Sequence, residues 1–249
     1  MMKILVINPN LTQAVTDAVA AVARRYASPG TQILAVTGES GPQVIGSRAE
    51  NAIAHQGVLE LAAKHGAGCD AVVLGVSLDT ALLALRELLP VPVVGMTEAG
   101  LLGASLVATK IGVLTYGRRM APLYEELVRA YGFGERVVKV AAVDVAPADT
   151  FSDPARVRAI VLAACLDLVE SDGAEAVVLA GAAMAGMQDP LQPQVPVPLL
   201  DGIACAVPLA EMLVRLKLPK PGRGSLAHPG ERSVRGLSAE LAALFSAER

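Results

Sequence analysis

The chain has no tryptophan, and its 249 residues include only 4 Tyr, 3 Phe, 3 His and 3 Cys. It also lacks a basic excess, with 21 Lys and Arg against 24 Asp and Glu. Nucleic-acid surfaces need positive charge and often aromatic stacking platforms, so no nucleic-acid partner is expected. The longest apolar stretches, such as 99–109 and 176–187, fall short of the ~18–20 residues that cross a bilayer, and no membrane partner is expected. Lys3 precedes only a short aliphatic run before Asn8-Pro9-Asn10, too little for a secretory leader, which points to a cytoplasmic protein. Cys69, Cys165 and Cys205 cannot all pair, and none has a neighbour at ligand spacing. His55, His65 and His228 are equally isolated, so no metal is expected.

What is present is apolar. Hydrophobic residues make up 53% against 18% charged, enough for a substantial core. The chain also repeats itself once. Lys3-Ile4-Leu5-Val6-Ile7 returns as Lys110-Ile111-Gly112-Val113-Leu114, and Asp70-Ala71-Val72-Val73-Leu74 as Glu175-Ala176-Val177-Val178-Leu179. Val91-Pro92-Val93-Val94 returns as Val197-Pro198-Leu199-Leu200, and the three offsets are 107, 105 and 106. A shared order at a nearly constant offset implies two homologous halves.

Each half alternates short apolar runs with longer amphipathic stretches. Ile4–Ile7, Ile33–Val36, Val72–Leu74 and Val93–Val94 read as strands buried on both faces, as do Ile111–Leu114, Val137–Val143, Val177–Leu179 and Leu199–Leu200. Helices are expected over Thr12–Tyr26, Ala49–His65, Thr80–Leu89, Pro122–Tyr131, Pro154–Val169 and Pro208–Leu216, with a last one ending near Phe245. Such βαβ alternation implies α/β architecture: two pseudo-symmetric, doubly wound, flavodoxin-like parallel-sheet halves with a cleft between them. The boundaries read 1–108 and 109–216, followed by a Pro/Gly-rich segment and terminal helix, 217–249, whose helix is positioned to pack back on the first half. Residues 219–236 read as a lid or an assembly arm.

In such sheets ligands bind beyond the carboxyl ends of the strands. The loops to inspect are 8–12, 76–80, 96–100, 115–118, 181–184 and 202–206. Asn8 and Asn10 precede a helix start with Thr12 as its expected cap, a place that suits a carboxylate or imide oxygen. Thr115 and Tyr116 hold the matching place in the second half. Ser77, Asp79 and Thr80 combine two hydroxyls and a carboxylate before a helix, where Asp79 or Thr80 also suits an N-cap. Glu98 reads as a buried base or a helix-start carboxylate. Gly181 and Ala182 open a loop without any protic side chain.

The loops together resemble the aspartate/glutamate/hydantoin racemase superfamily, most closely its hydantoin racemase branch. The resemblance lies in Ile7-Asn8-Pro9-Asn10, Gly41-Pro42 with Ile45, Asp70 to Leu74, Leu82 with Arg86, and Pro92 to Gly95 with Glu98-Ala99. It continues through Val177-Val178-Leu179 with Met184 and Val197 to Gly202. It implies cofactor-independent proton transfer, racemisation or isomerisation, at the acidic carbon of a small carboxylate or cyclic amide such as a hydantoin or amino acid, in a homo-oligomer. It also places the family's two catalytic cysteines at Val76 and Gly181, so both thiols are replaced here. Asp79 and Ser77 then become the expected catalytic residues, and Asn8, Asn10, Thr80, Thr115, Tyr116, Glu98, Val76, Gly181 and Ala182 the expected substrate wall. A lyase or decarboxylase in the same cleft, or a ligand-binding protein without activity, are the alternatives.

Overall fold

Eight aliphatic runs form the strands. The computed structural model describes residues 1–246. The first half runs β1 (Lys3–Asn8), α1 (Gln13–Tyr26), β2 (Gln32–Thr37), α2 (Arg48–His65), β3 (Ala71–Leu74), α3 (Leu82–Leu88), β4 (Val93–Gly95) and α4 (Met96–Ser105). The second runs β5 (Ile111–Tyr116), α5 (Ala121–Ala130), β6 (Val137–Val143), α6 (Asp149–Ser152), α7 (Pro154–Glu170), β7 (Ala176–Leu179), α8 (Gln188–Leu191), β8 (Leu199–Asp201) and α9 (Gly202–Leu216). A last helix, α10 (Ala239–Leu244), follows.

The sheets are parallel, with orders β2-β1-β3-β4 and β6-β5-β7-β8. The side chains of β1, β3, β5 and β7 are buried almost throughout, while the outer strands β2 and β6 are only partly covered. Ile4 lies opposite Ala71 as Ile111 lies opposite Ala176, so the sequence repeat is a structural one. Local signals start several helices. Ser47 accepts from Glu50 N at 3.3 Å while the Glu50 carboxylate accepts from Gly46 N at 2.9 Å, a capping box at α2. Asp153 caps α7, with Pro154 as its first residue.

The halves interlock through their last helices. Helix α4 packs on β7 and α9, while α9 packs on β3 and β4. One core cluster therefore joins Ile4, Val6 and Val19 to Val177, Leu179 and Val207. The segments 96–100 and 202–206, expected as loops, are instead the first turns of α4 and α9. The strands run straight into these helices without a turn, and Pro208, expected as a start, lies inside α9. Helix α10 packs on α2, with the Ser238 hydroxyl on Glu60. The irregular segment before it is tied by Lys220 to the Glu87 carbonyl, and no residue of 219–236 lines the cleft described below. Among the described residues no helix is long and apolar enough to cross a membrane.

Candidate active site

The carboxyl ends of six strands meet at a cavity of about 310 Å³ between the halves. That is the lower end of small-molecule pockets, roughly 300–1,000 Å³. Asn10 and Thr12 come from the turn after β1, and Gln43 to Gly46 from the loop after β2. Val76 to Leu78 follow β3, and Thr115 to Met120 end β5. Val145 to Phe151 and Gly181 to Ala183 complete the wall, with Tyr124 of α5 behind it.

The polar side of this wall is a chain of hydroxyls. Tyr124, buried to 1% exposure, donates to Ser77 Oγ, with the Thr115 hydroxyl near the same phenol. Burial pushes the Tyr124 phenol up to about 12. With its lone pair taken by Tyr124, the Ser77 hydroxyl keeps its own proton for a ligand, and aligned hydroxyls polarise one another. On the other side, Tyr116 shares a 2.7 Å bond with the Thr150 hydroxyl, and burial raises it too to about 12. Its ring edge lies against Gly181, 3.3 Å from where a Cβ would stand. Gly181 begins a short 3₁₀ turn, Ala182–Met184, whose first N–H groups have no partner within the turn.

Val76 and Gly181 stand at equivalent places, two residues beyond β3 and β7, and both line the cavity. Of the other expected wall residues, Asn10, Thr115, Tyr116 and Ala182 line it as well. The Asn10 Oδ1 accepts from Asn8 and from Thr12 N at 2.9 Å, and among the described residues its Nδ2 has no partner, leaving a donor for a ligand. Asn8 does not reach the cavity. Its amide is spent on Asn10, the Thr12 carbonyl and the Thr16 hydroxyl, which together shape the β1–α1 turn. Thr80 points away to Asn51, at 2.7 Å. Glu98 sits in the first turn of α4, paired with Arg86.

Asp79, expected as the base, is sealed behind the wall rather than on it. Its carboxylate accepts from Thr97 N at 3.0 Å, Glu98 N at 2.9 Å and the Tyr131 hydroxyl at 2.8 Å. It caps a helix, as its N-cap reading allowed, but the helix is α4 and not the following α3. Desolvation raises it to about 7, against the pull of those three donors. The reason lies in the turn: Asp79 and Ala81 adopt φ of 48° and 63°, which swings the carboxylate inward.

Tyr124, Arg119, Met120 and the 145–151 segment are not among the residues that the sequence marks, and of 43–46 only Ile45 enters, through the resemblance. Tyr124 and Tyr131 stand seven residues apart, two of only four tyrosines, and that spacing on one helix was the available signal.

The Asp/Glu/hydantoin racemase family matches residues 4–210. The chain belongs to that family. A hydantoin racemase of Pseudomonas sp. (strain NS671) is 36% identical over 216 residues, 86% of this chain and 87% of that protein. One from Paenarthrobacter aurescens is 32% identical, over 93% and 99%. The allantoin racemase structure from Klebsiella pneumoniae superposes with a TM-score of 0.92 at 34% identity, covering 97% of this chain and 99% of that one. The chain is thus a racemase-family enzyme with the family's two-lobed fold.

Proposed function

We propose that the enzyme moves a proton at the acidic carbon of a small cyclic amide or carboxylate, such as a hydantoin or an amino acid, without a cofactor. The observation that carries this reading is the Tyr124–Ser77 hydroxyl pair, with Thr115 beside it, which ends in the cavity beside Val76. A carbonyl next to the acidic carbon becomes an enolate as the C–H proton leaves. Ser77 Oγ–H and the amides of the Val76–Leu78 turn are placed to stabilise that charge, and Asn10 Nδ2 to hold a second oxygen. The remaining proton carriers are phenols. Tyr124, which itself lines the cavity, serves one face, and Tyr116 with Thr150 serves the other. Inversion then takes the proton onto one ionised phenol and returns one from the opposite side.

A second reading has support of its own. Among the described residues the wall carries no carboxylate, imidazole or thiol. Loss of CO2 from a geminal dicarboxylate makes the enolate with no base, and needs only one donor to complete the product. Three unpaired cysteines support a reducing, cytoplasmic location, and the exposed Leu102, Leu106 and Val107 at the end of α4 support self-association.

Incubation in D2O with single enantiomers of substituted hydantoins, amino acids and aryl- or alkylmalonates tests both readings by NMR. Deuterium at the acidic carbon with loss of optical rotation is expected for proton transfer, and CO2 release for the second reading. Binding without either would leave a ligand-binding protein.

A further inference from the structure

We propose that Asp79 and Tyr131 are positioning residues: their hydrogen bond across the halves sets α5 against the Val76–Asp79 turn, and so seats the Tyr124 hydroxyl on Ser77. This rests on the reading above that Ser77 and Tyr124 face the substrate. Tyr124 lies within α5 and Tyr131 at its end, two helical turns on. They reach two residues of one turn in the other half, Tyr124 to Ser77 and Tyr131 to Asp79. The turn itself is strained, since Asp79 and Ala81 both hold left-handed backbone that side chains disfavour. Its hold comes from α4: Asp79 binds two α4 amides, and Thr97 Oγ1 donates to the Ser77 carbonyl at 2.5 Å.

A helix cap alone does not require this arrangement. In the second half Asp201 stands at the position equivalent to Gly95 and caps α9 locally, binding Ile203 N at 2.8 Å and Ala204 N at 3.2 Å. Those amides are the equivalents of Thr97 and Glu98. The first half instead keeps position 95 bare and sends the carboxylate from the turn, which joins α4, α5 and Ser77 through one group. The ionisable groups around it are Tyr124 and Tyr131 from α5, and Glu98 of α4 with its partner Arg86 of α3.

Three variants separate positioning from capping. Tyr131→Phe keeps the cap and removes the bond across the halves. Asp79→Gly removes both, and Asp79→Gly with Gly95→Asp moves the cap to where the second half has it; glycine suits the φ of 48°. Turnover, thermal midpoint and the 15N–1H shifts of Ser77 and Leu78 are measured. For Tyr131→Phe, kcat is expected to fall about tenfold with KM within about twofold and little loss of thermal midpoint. The double variant is expected to regain the midpoint lost in Asp79→Gly but not its kcat. Parental kcat in Tyr131→Phe, or recovery of kcat together with stability in the double variant, would reduce Asp79 to a cap. If the parent turns over none of the substrates, the proposed function fails, and the amide shifts still decide. Moved Ser77 and Leu78 resonances in Tyr131→Phe support positioning, and unmoved ones overturn it.

Discussion

The Asp79 carboxylate fills the space that a side chain on Gly95 would occupy. A Cβ at position 95 would collide with the carboxyl carbon and both of its oxygens. The glycine at the end of β4 is thus the complement of a carboxylate sixteen residues earlier in the chain. Gly95→Ala should cost about 3 kcal/mol or more, combining overpacking with loss of the α4 cap. Gly222→Ala, where an added Cβ meets nothing within 4 Å, should cost little. Urea titration of both variants compares them, and equal midpoints would refute the fit.

Asp79 also predicts a pH signature in stability. Its folded pKa of about 7 lies above the ordinary carboxylate value of 3.8. The folded state therefore holds a proton that the unfolded chain has released. The corresponding stability is full below pH 4, and is lost as pH rises through about 7. Asparagine imitates the protonated acid, so Asp79→Asn should flatten this limb and cost more at pH 6 than at pH 8 relative to parent. Parallel stability curves for parent and variant between these pH values would contradict the assignment.

The hydroxyl chain makes a kinetic prediction. Ser77→Ala should lose roughly 2–4 kcal/mol of transition-state stabilisation in kcat/KM if its hydroxyl meets the enolate oxygen. Tyr124→Phe should lose as much or more, since it removes both the polarising donor and a proton carrier. With both phenols near 12, proton abstraction by phenolate should speed up about tenfold per pH unit across the alkaline range. A flat profile there, with proton exchange intact, would exclude a phenolate base.

The fold was legible because its signals are local and repeated. Aliphatic runs at one offset give the two sheets, and Asp153-Pro154 marks a helix start. Helix α4 was not, because Met96 follows Gly95 with no cap of its own; its cap arrives from Asp79, far along the chain. The site divides in the same way. Residues at or just beyond a strand end, such as Asn10, Ser77, Tyr116 and Gly181, are found by those strand ends. The direction in which a side chain leaves the strand end is not encoded locally. Asn8 and Asp79 turn inward under hydrogen bonds and positive φ, while Tyr124 arrives from the middle of a helix whose apolar face looks like ordinary core.

The cysteines are expected to be dispensable for turnover. None of the three lines the cavity: Cys165 is on the buried face of α7, and Cys205 lies on α9 beside Gly103 of α4. Burial raises Cys69 and pushes both Cys165 and Cys205 up to about 12, leaving little thiolate to react. Iodoacetamide at neutral pH should leave turnover unchanged, and mass spectrometry should find Cys165 modified only after unfolding. Inactivation that tracks alkylation of Cys205 would bring that thiol into the mechanism.

The final prediction concerns Val76 and Gly181, the positions to which the sequence resemblance assigns the family's pair of thiols. Both face the cavity from equivalent turns, and Gly181 has φ −162° and ψ 120°, extended backbone that any residue adopts. A Cβ there would stand 3.3 Å from the Tyr116 ring and 3.4 Å from Met184, tight enough to need a small shift but no rebuilding. Val76→Cys trims the opposite wall slightly. The double variant Val76→Cys with Gly181→Cys therefore puts a thiol on each side of the cavity without disturbing the hydroxyl chain. Thiols ionise much closer to neutrality than phenols raised to about 12. Hydantoin racemisation near pH 8 should rise at least about tenfold over parent, and each single change should give less, because inversion needs a carrier on both faces. The gained activity should also become sensitive to iodoacetamide, unlike the parent's. A folded double variant with no gain would mean that the segments around Asn10, Gln43–Gly46 and Thr115–Met120 hold a different substrate from the hydantoins.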